Sequence, residues 1–278
     1  MCGSGWLRRI PVLFMMIVAV AGCTTPASRT APPSPGTAPS SPVASAARPA
    51  PGARCPDEAR QGQAITISAG GTASLAGIVV GQGAKGVVLV HSDLASLCSW
   101  LPYGLSLAKL GYRVLAFDLP GHGASEPLDG ASGTAVAGIA AAVTWLRGQG
   151  AEKVVLIGAA EGATFAAVAA AQITPRVNGL VSISGVRQYG GYDAEPAMRN
   201  LLVPALFVAA EQDRNTYLDA RTLFDAMPTK GVLHTLFYVP NTTETGVRLL
   251  DVQVPADARG GTVHAQVESF LRDAVAQT

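Results

Sequence analysis

The sequence predicts an α/β domain: a mostly parallel central sheet with helices on both faces. From residue 64 onward, short strand-like apolar runs alternate with longer segments of helical periodicity, and alternating β and α units pair their strands in parallel through crossovers. Some of the runs are nearly continuously apolar, Val87-Val88-Leu89-Val90 being the clearest, as strands covered on both faces require. The chain has 278 residues and 49% of them are hydrophobic, enough for one such domain with a sizeable core plus extensions.

The first 22 residues read as a leader. Arg8 and Arg9 make a positive start, and residues 10–21 form an apolar stretch too short to span a bilayer comfortably. Val20-Ala21-Gly22-Cys23 follows and resembles a bacterial lipobox, in which cleavage precedes the cysteine and its thiol receives diacylglycerol. The alternative is a plain signal peptide with a chance cysteine. On the lipobox reading Cys23 is the lipidation site. The protein is then exported and anchored on the extracytoplasmic face of the bacterial cell membrane, each buried methylene of its acyl chains contributing ~0.8 kcal/mol. Residues 23–54 are mostly Pro, Ala, Ser and Thr, with Val43 the one large apolar residue. Such a segment cannot offset its ordering entropy by burial, so a disordered tether is expected, reaching up to ~95 Å at ~3.1 Å per residue.

Residues 55–278 form the predicted body. Residues 64–68 and 73–80 read as two strands joined at Gly70-Gly71, a hairpin signal. Strands are then expected at 86–91, 113–117, 153–157, 180–183, 205–209 and 234–239. Helices are expected at 100–110, ended by Gly111, and at 135–149, 161–171, 216–226 and 262–275. An open sheet of this kind places its ligand crevice at the carboxyl ends of the strands. Residues 188–198 are a short insertion that could lie over that crevice.

Of four cysteines, Cys2 leaves with the leader and Cys23 would be acylated. Cys55 and Cys98 remain as an even pair in a disulfide-permissive compartment, and a bridge between them would stabilise by roughly 4 kcal/mol at most. The rival reading is a reactive Cys98 thiol near His91. Net charge is +1, and setting aside the two leader arginines and the three in the tether leaves the body near −4. That is no footprint for nucleic acid, nor a basic face for membranes. The few scattered histidines show no metal-ligand spacing, and no glycine-rich segment matches a phosphate loop or dinucleotide fingerprint. No metal and no cofactor is therefore expected.

Several segments, in order, resemble the α/β-hydrolase superfamily. Val87-Val88-Leu89-Val90-His91 is similar to the strand that ends in the oxyanion loop, and Gly111-Tyr112-Arg113-Val114-Leu115-Ala116-Phe117 to the next strand with its leading turn. Asp118-Leu119-Pro120-Gly121-His122-Gly123-Ala124-Ser125 is close to the family's D-x-x-G-H-G-x-S turn. Gly158-Ala159-Ala160-Glu161-Gly162 sits where the G-x-S-x-G nucleophile elbow belongs. Leu206-Phe207-Val208-Ala209-Ala210-Glu211-Gln212-Asp213 resembles the strand and turn that deliver the triad acid, with Asp213 on the acid. The resemblance covers most of the body.

The resemblance implies a catalytic order of serine, acid, histidine. Ala160 stands at the nucleophile position, and a methyl group cannot attack a carbonyl. In the loop after the last strand, Thr245 before Gly246 stands at the histidine position, and threonine is no general base near neutral pH. Only the acid, Asp213, is left of the triad. Family members that use an aspartate nucleophile carry it at the elbow position, where this chain has Ala160. Glu161 lies one residue later and reads first as a helix-start carboxylate. Ser92 and His91 read first as oxyanion-loop residues, and His122 as a turn residue. His234 and His264 are not placed to serve the elbow.

Three functions follow from these residues. The first is a pseudo-hydrolase whose crevice, lined by candidates His91, Ser92, Ala160, Glu161, Asp213 and Thr245, binds a small ester-like or lipid molecule or an envelope protein. The second is a hydrolase of ester or related carbonyl substrates using Glu161, Asp213 or Ser92 in a non-standard site. The third is a structural or interaction lipoprotein whose crevice plays no part. The first is the reading taken.

Overall fold

A computed structural model describes residues 48–70, 73–128, 134–254 and 261–276. The leader, Cys23 and the tether as far as residue 47 lie outside the described residues, as does Gly71 of the hairpin turn. In chain order the elements are α1 (Pro56–Ala59), β1 (Gln63–Ser68), β2 (Ser74–Val80), β3 (Lys85–Val90), α2 (Leu101–Lys109), β4 (Arg113–Phe117), α3 (Thr134–Gly148), β5 (Lys153–Ala159), α4 (Glu161–Gln172), β6 (Gly179–Ile183), β7 (Gln188–Tyr189), β8 (Tyr192–Asp193), α5 (Ala194–Arg199), β9 (Ala205–Ala210), α6 (Arg214–Ala226), β10 (His234–Val239), β11 (Gln253–Val254), β12 (Gly261–Thr262) and α7 (Val263–Ala276). Two 3₁₀ segments, Leu97–Ser99 and Gly246–Asp251, precede α2 and follow β10.

Eight strands make one sheet in the order β1-β2-β4-β3-β5-β6-β9-β10. β1 and β2 pair antiparallel from Gln63 opposite Val79 to Ser68 opposite Ser74. β2 is also antiparallel to β4, and from β4 onward every neighbour is parallel. The fold is therefore the expected mostly parallel α/β-hydrolase arrangement. Successive side chains of a strand point to opposite faces, and β5 uses both. Val154 and Leu156 enter one core with α3, α4 and α6, while Val155 and Ile157 enter another with α2 and α7. This is why its sequence is continuously apolar.

Helix ends follow local chemistry. α2 closes in a Schellman motif: Gly111 is left-handed at φ 86°, its N–H donates to Ala108 O at 3.1 Å, and Tyr112 N–H donates to Leu107 O at 3.2 Å. Cys55 and Cys98 form a disulfide with Cα atoms 5.7 Å apart, joining the residue before α1 to the 3₁₀ turn before α2. The thiol reading of Cys98 is thereby corrected: its sulfur is bonded and cannot attack. The short α1, both 3₁₀ segments and the β11–β12 pair were not foreseen, since none is long enough to show a hydrophobic period. The insertion at residues 188–198 folds as the β7–β8 hairpin leading into α5. Among the described residues no helix is long and apolar enough to cross a membrane.

Candidate functional site

The turn from β5 into α4 has the backbone of a nucleophile elbow. Ala160 takes φ 51° and ψ −122°, a conformation that L-residues avoid. Its N–H donates to Ile183 O at 2.9 Å, and its own carbonyl accepts from Ala163 N–H at 3.0 Å to start the helix. Both flanking glycines are forced by backbone contact. A Cβ on Gly158 would lie 2.5 Å from Gly162 O, and one on Gly162 would lie 2.3 Å from His91 O. The sharp turn expected at Ala160 is present, and it presents a methyl.

The oxyanion-side loop is held by buried hydrogen bonds. His91 is fully buried, and its Nε2 accepts from Leu119 N–H at 2.9 Å. A backbone N–H can only donate, so Nε2 carries the lone pair and Nδ1 the proton, which goes to Ser92 O at 2.7 Å. Burial holds the imidazole pKa below its usual 6.5, opposed by the Ser92 carbonyl and the Asp118 charge. His91 is a neutral loop clamp whose basic nitrogen is already occupied.

The D-x-x-G-H-G-x-S turn is structural in the same sense. Asp118 accepts from Leu97 N–H at 2.8 Å and Ala124 N–H at 2.9 Å. The Ser125 hydroxyl donates to Asp118 O at 2.6 Å and accepts from Ala76 N–H at 2.9 Å. His122 places Nδ1 3.1 Å from Pro120 O and Nε2 3.2 Å from Asp93 Oδ1.

The acid position is engaged as well. Asp213 caps α6: Oδ2 accepts from the Thr216 hydroxyl at 2.7 Å and Oδ1 from Asn215 N–H at 3.3 Å. Thr245 is extended and directly precedes Gly246, whose N–H donates to Ser184 Oγ at 3.0 Å. Ser184 is itself buried with φ 50°, and its N–H donates to Val208 O at 2.7 Å. Gln212 N–H reaches Thr242 O at 3.1 Å. Hydrogen bonds thus run along the carboxyl edge of the sheet, from the elbow through β6 to the loops holding Asp213 and Thr245. Glu161 opens α4, and Ser92 lies half-buried in the loop after β3. His234 packs on Phe224, and His264 packs on Tyr103, each among elements other than the elbow.

Three residues of this edge escaped sequence reasoning. Asp93 accepts from Tyr189 OH at 2.7 Å, a bond that raises the phenol's pKa and ties the β7–β8 hairpin to the oxyanion-side loop. The two lie 96 positions apart, with nothing in the sequence to pair them. Ser184 gave no signal because its bonds go to Val208 and Gly246, both distant in sequence. Chemically, the edge offers backbone donors at the start of α4, which lack helical acceptors, while the elbow position itself presents a methyl and the basic nitrogen of His91 is occupied. Two cavities of 460 Å³ lie elsewhere: one between α3 and α4, the other lined by residues of α2, the second 3₁₀ segment and α7.

Comparison with known proteins agrees with this geometry. The chain is similar in structure to an esterase from Pyrococcus furiosus at 17% identity, TM-score 0.60, covering 76% of this chain and 90% of that one. It is similar to Est1E from Butyrivibrio proteoclasticus at 14% identity, TM-score 0.60, covering 77% and 99%. It is also similar to a dienelactone hydrolase from Anabaena variabilis at 21% identity, TM-score 0.54, covering 66% and 88%. Identities this low speak for fold alone. No curated protein matches the chain in sequence. The sequence profile described as alpha/beta hydrolase fold matches residues 86–227, from β3 through the elbow and Asp213 to the end of α6, stopping before Thr245. The chain belongs to the α/β-hydrolase fold family.

Proposed function

We propose that this protein is an exported, lipid-anchored pseudo-hydrolase, which binds a small ester-like or lipid ligand, or an envelope protein, at the carboxyl edge of its sheet without turning it over. The observation that carries the reading is Ala160: the elbow keeps its strained backbone and both close-packed glycines while presenting a methyl. Two further observations support it. The nearby imidazole of His91 already accepts a hydrogen bond, and Asp213 is engaged as a helix cap. In a well-studied serine protease, loss of the nucleophile or base costs ~10⁶ in turnover, about 8 kcal/mol of barrier. A site lacking both keeps only ~10³–10⁴ over water, from positioning and oxyanion donors. The anchoring part rests on the order of Arg8-Arg9, apolar stretch, small residues and Cys23.

The test is turnover of short-chain activated esters by the full-length chain beside its Asp213→Ala, Glu161→Ala and Ser92→Ala variants. Background rates in all four are expected. Turnover well above buffer that one substitution abolishes would overturn the reading in favour of a relocated catalytic site. For the anchor, mass analysis of the Cys23 peptide should show a diacylglycerol adduct, and Cys23→Ser should move the protein out of the membrane fraction. An unmodified Cys23 peptide would refute that part alone.

A further inference from the structure

The flank of the molecule carries a groove that the crevice does not use. α3 and α4 both follow strands of the parallel sheet, lie on the same face and run in the same direction. Between them is a 460 Å³ cavity to which α3 contributes Val136, Ala137, Ala140, Thr144 and Arg147. Those positions fall on one helix face and span twelve residues, eleven rises of ~1.5 Å, so the α3 wall is ~16 Å long, the reach of roughly a dozen extended methylenes.

Its chemistry is graded along its length. Toward the start of α3 the lining is apolar, with Val136, Ala137 and Ala140. Toward its end α3 supplies Thr144 and Arg147, and the C-terminal part of α4 with the residues after it supplies Val168, Gln172, Ile173 and Thr174. The gradient along α3 is the pattern of a tail and a head. Arg147 is the charge at the polar end. The one hydrogen bond of its guanidinium among the described residues goes to the Arg176 carbonyl at 2.8 Å, and no carboxylate pairs with it there. Partial burial lowers its pKa, the mark of a guanidinium partly stripped of water without an anionic partner. The Tyr192 hydroxyl, on another lining residue, is shielded from solvent and has no hydrogen-bond partner. The helix C-termini disfavour an anion here, since Arg147 lies in the last turn of α3, but solvent screens that effect and the guanidinium charges of Arg147 and Arg176 at the same end oppose it.

We propose that the α3–α4 groove binds a medium-chain acyl carboxylate, with its chain along Val136, Ala140 and Val168 and its carboxylate on Arg147. The site is separate from the elbow and does not rest on the pseudo-hydrolase reading. The experiment is titration calorimetry of the full-length chain with dodecanoate, and with dodecanol as the uncharged chain of equal length. Two variants accompany it: Ala140→Trp fills the groove, and Arg147→Gln removes the cation while keeping a donor. Saturable one-to-one binding of dodecanoate is expected, at least tenfold weaker in each variant. Dodecanol should bind at least tenfold more weakly than dodecanoate, and equally to the wild type and Arg147→Gln. A melting curve like the wild type's shows that Ala140→Trp still folds; if it does not, Arg147→Gln and the dodecanol comparison decide alone. No saturable binding below millimolar concentration would overturn the proposal, and so would unchanged affinity in Arg147→Gln. A dimer in sedimentation that Ala140→Trp dissociates would also overturn it, assigning the groove to a second copy of the chain.

Discussion

At Ala160 the backbone holds a residue in a conformation that costs of order 1–3 kcal/mol and returns no hydroxyl for it. Ala160→Gly should therefore stabilise the protein by about 1 kcal/mol, read as a higher denaturant midpoint with unchanged slope. Ala160→Ser would restore the G-x-S-x-G string and still give background ester turnover, because the nitrogen of His91 that could accept a proton is taken by Leu119. Gly162→Ala is expected to cost about 3 kcal/mol, since its methyl would meet the His91 carbonyl. His91 also makes a pH prediction. Its native pKa is lowered by burial, so the unfolded chain takes up a proton near the usual ~6.5 that the native state resists. Stability from this group is whole above pH ~6.5 and is lost as pH falls from there toward the lowered native value. Urea midpoints measured between pH 7.5 and 5 should fall, and His91→Gln should flatten that dependence.

Among the elements, the β7–β8 hairpin lies against α4, while α5 after it is buried against α4 and α6 through Ala194 and Met198. Tyr189 and Tyr192 lean on Phe165 of α4 with ring centroids 5.9 and 5.2 Å away, and the Tyr189–Asp93 bond ties the hairpin to the loop after β3. Tyr189→Phe keeps the ring and removes that bond. It should raise amide exchange in residues 188–193 while leaving β5 and β6 protected, and uniform exchange across the sheet would contradict this. β5 sits at the centre with both faces covered. Leu156→Ala there should cost about 2–5 kcal/mol, measured by denaturant unfolding.

For the molecule as a whole, what was legible in the sequence is what repeats or what contacts itself locally. Parallel strands announced themselves as unbroken apolar runs, Gly111 as a helix stop, and the glycines around Ala160 as a turn where backbone meets backbone. The site was legible as a set of positions, because the order of elbow, acid turn and final loop is carried by the fold. Its bonding was not. That Leu119 occupies His91 and that Asp93 meets Tyr189 depend on where distant segments land in space, which no local pattern encodes, whereas the Asp213 cap is local, made to Asn215 and Thr216. The same holds for the Cys55–Cys98 bridge, where counting cysteines left two readings and proximity decided. That bridge also governs how load travels. Tension arriving along the chain at residue 55 passes through the sulfurs to residue 98, so β1, β2 and β3, which lie in the 43-residue interval between, are never under load. If the protein is pulled by its two ends, its oxidised form should release ~150 Å less contour than its reduced form at ~3.5 Å per residue. A protein fastened to a surface through its N-terminus would then yield first at α2 or beyond, not by peeling β1.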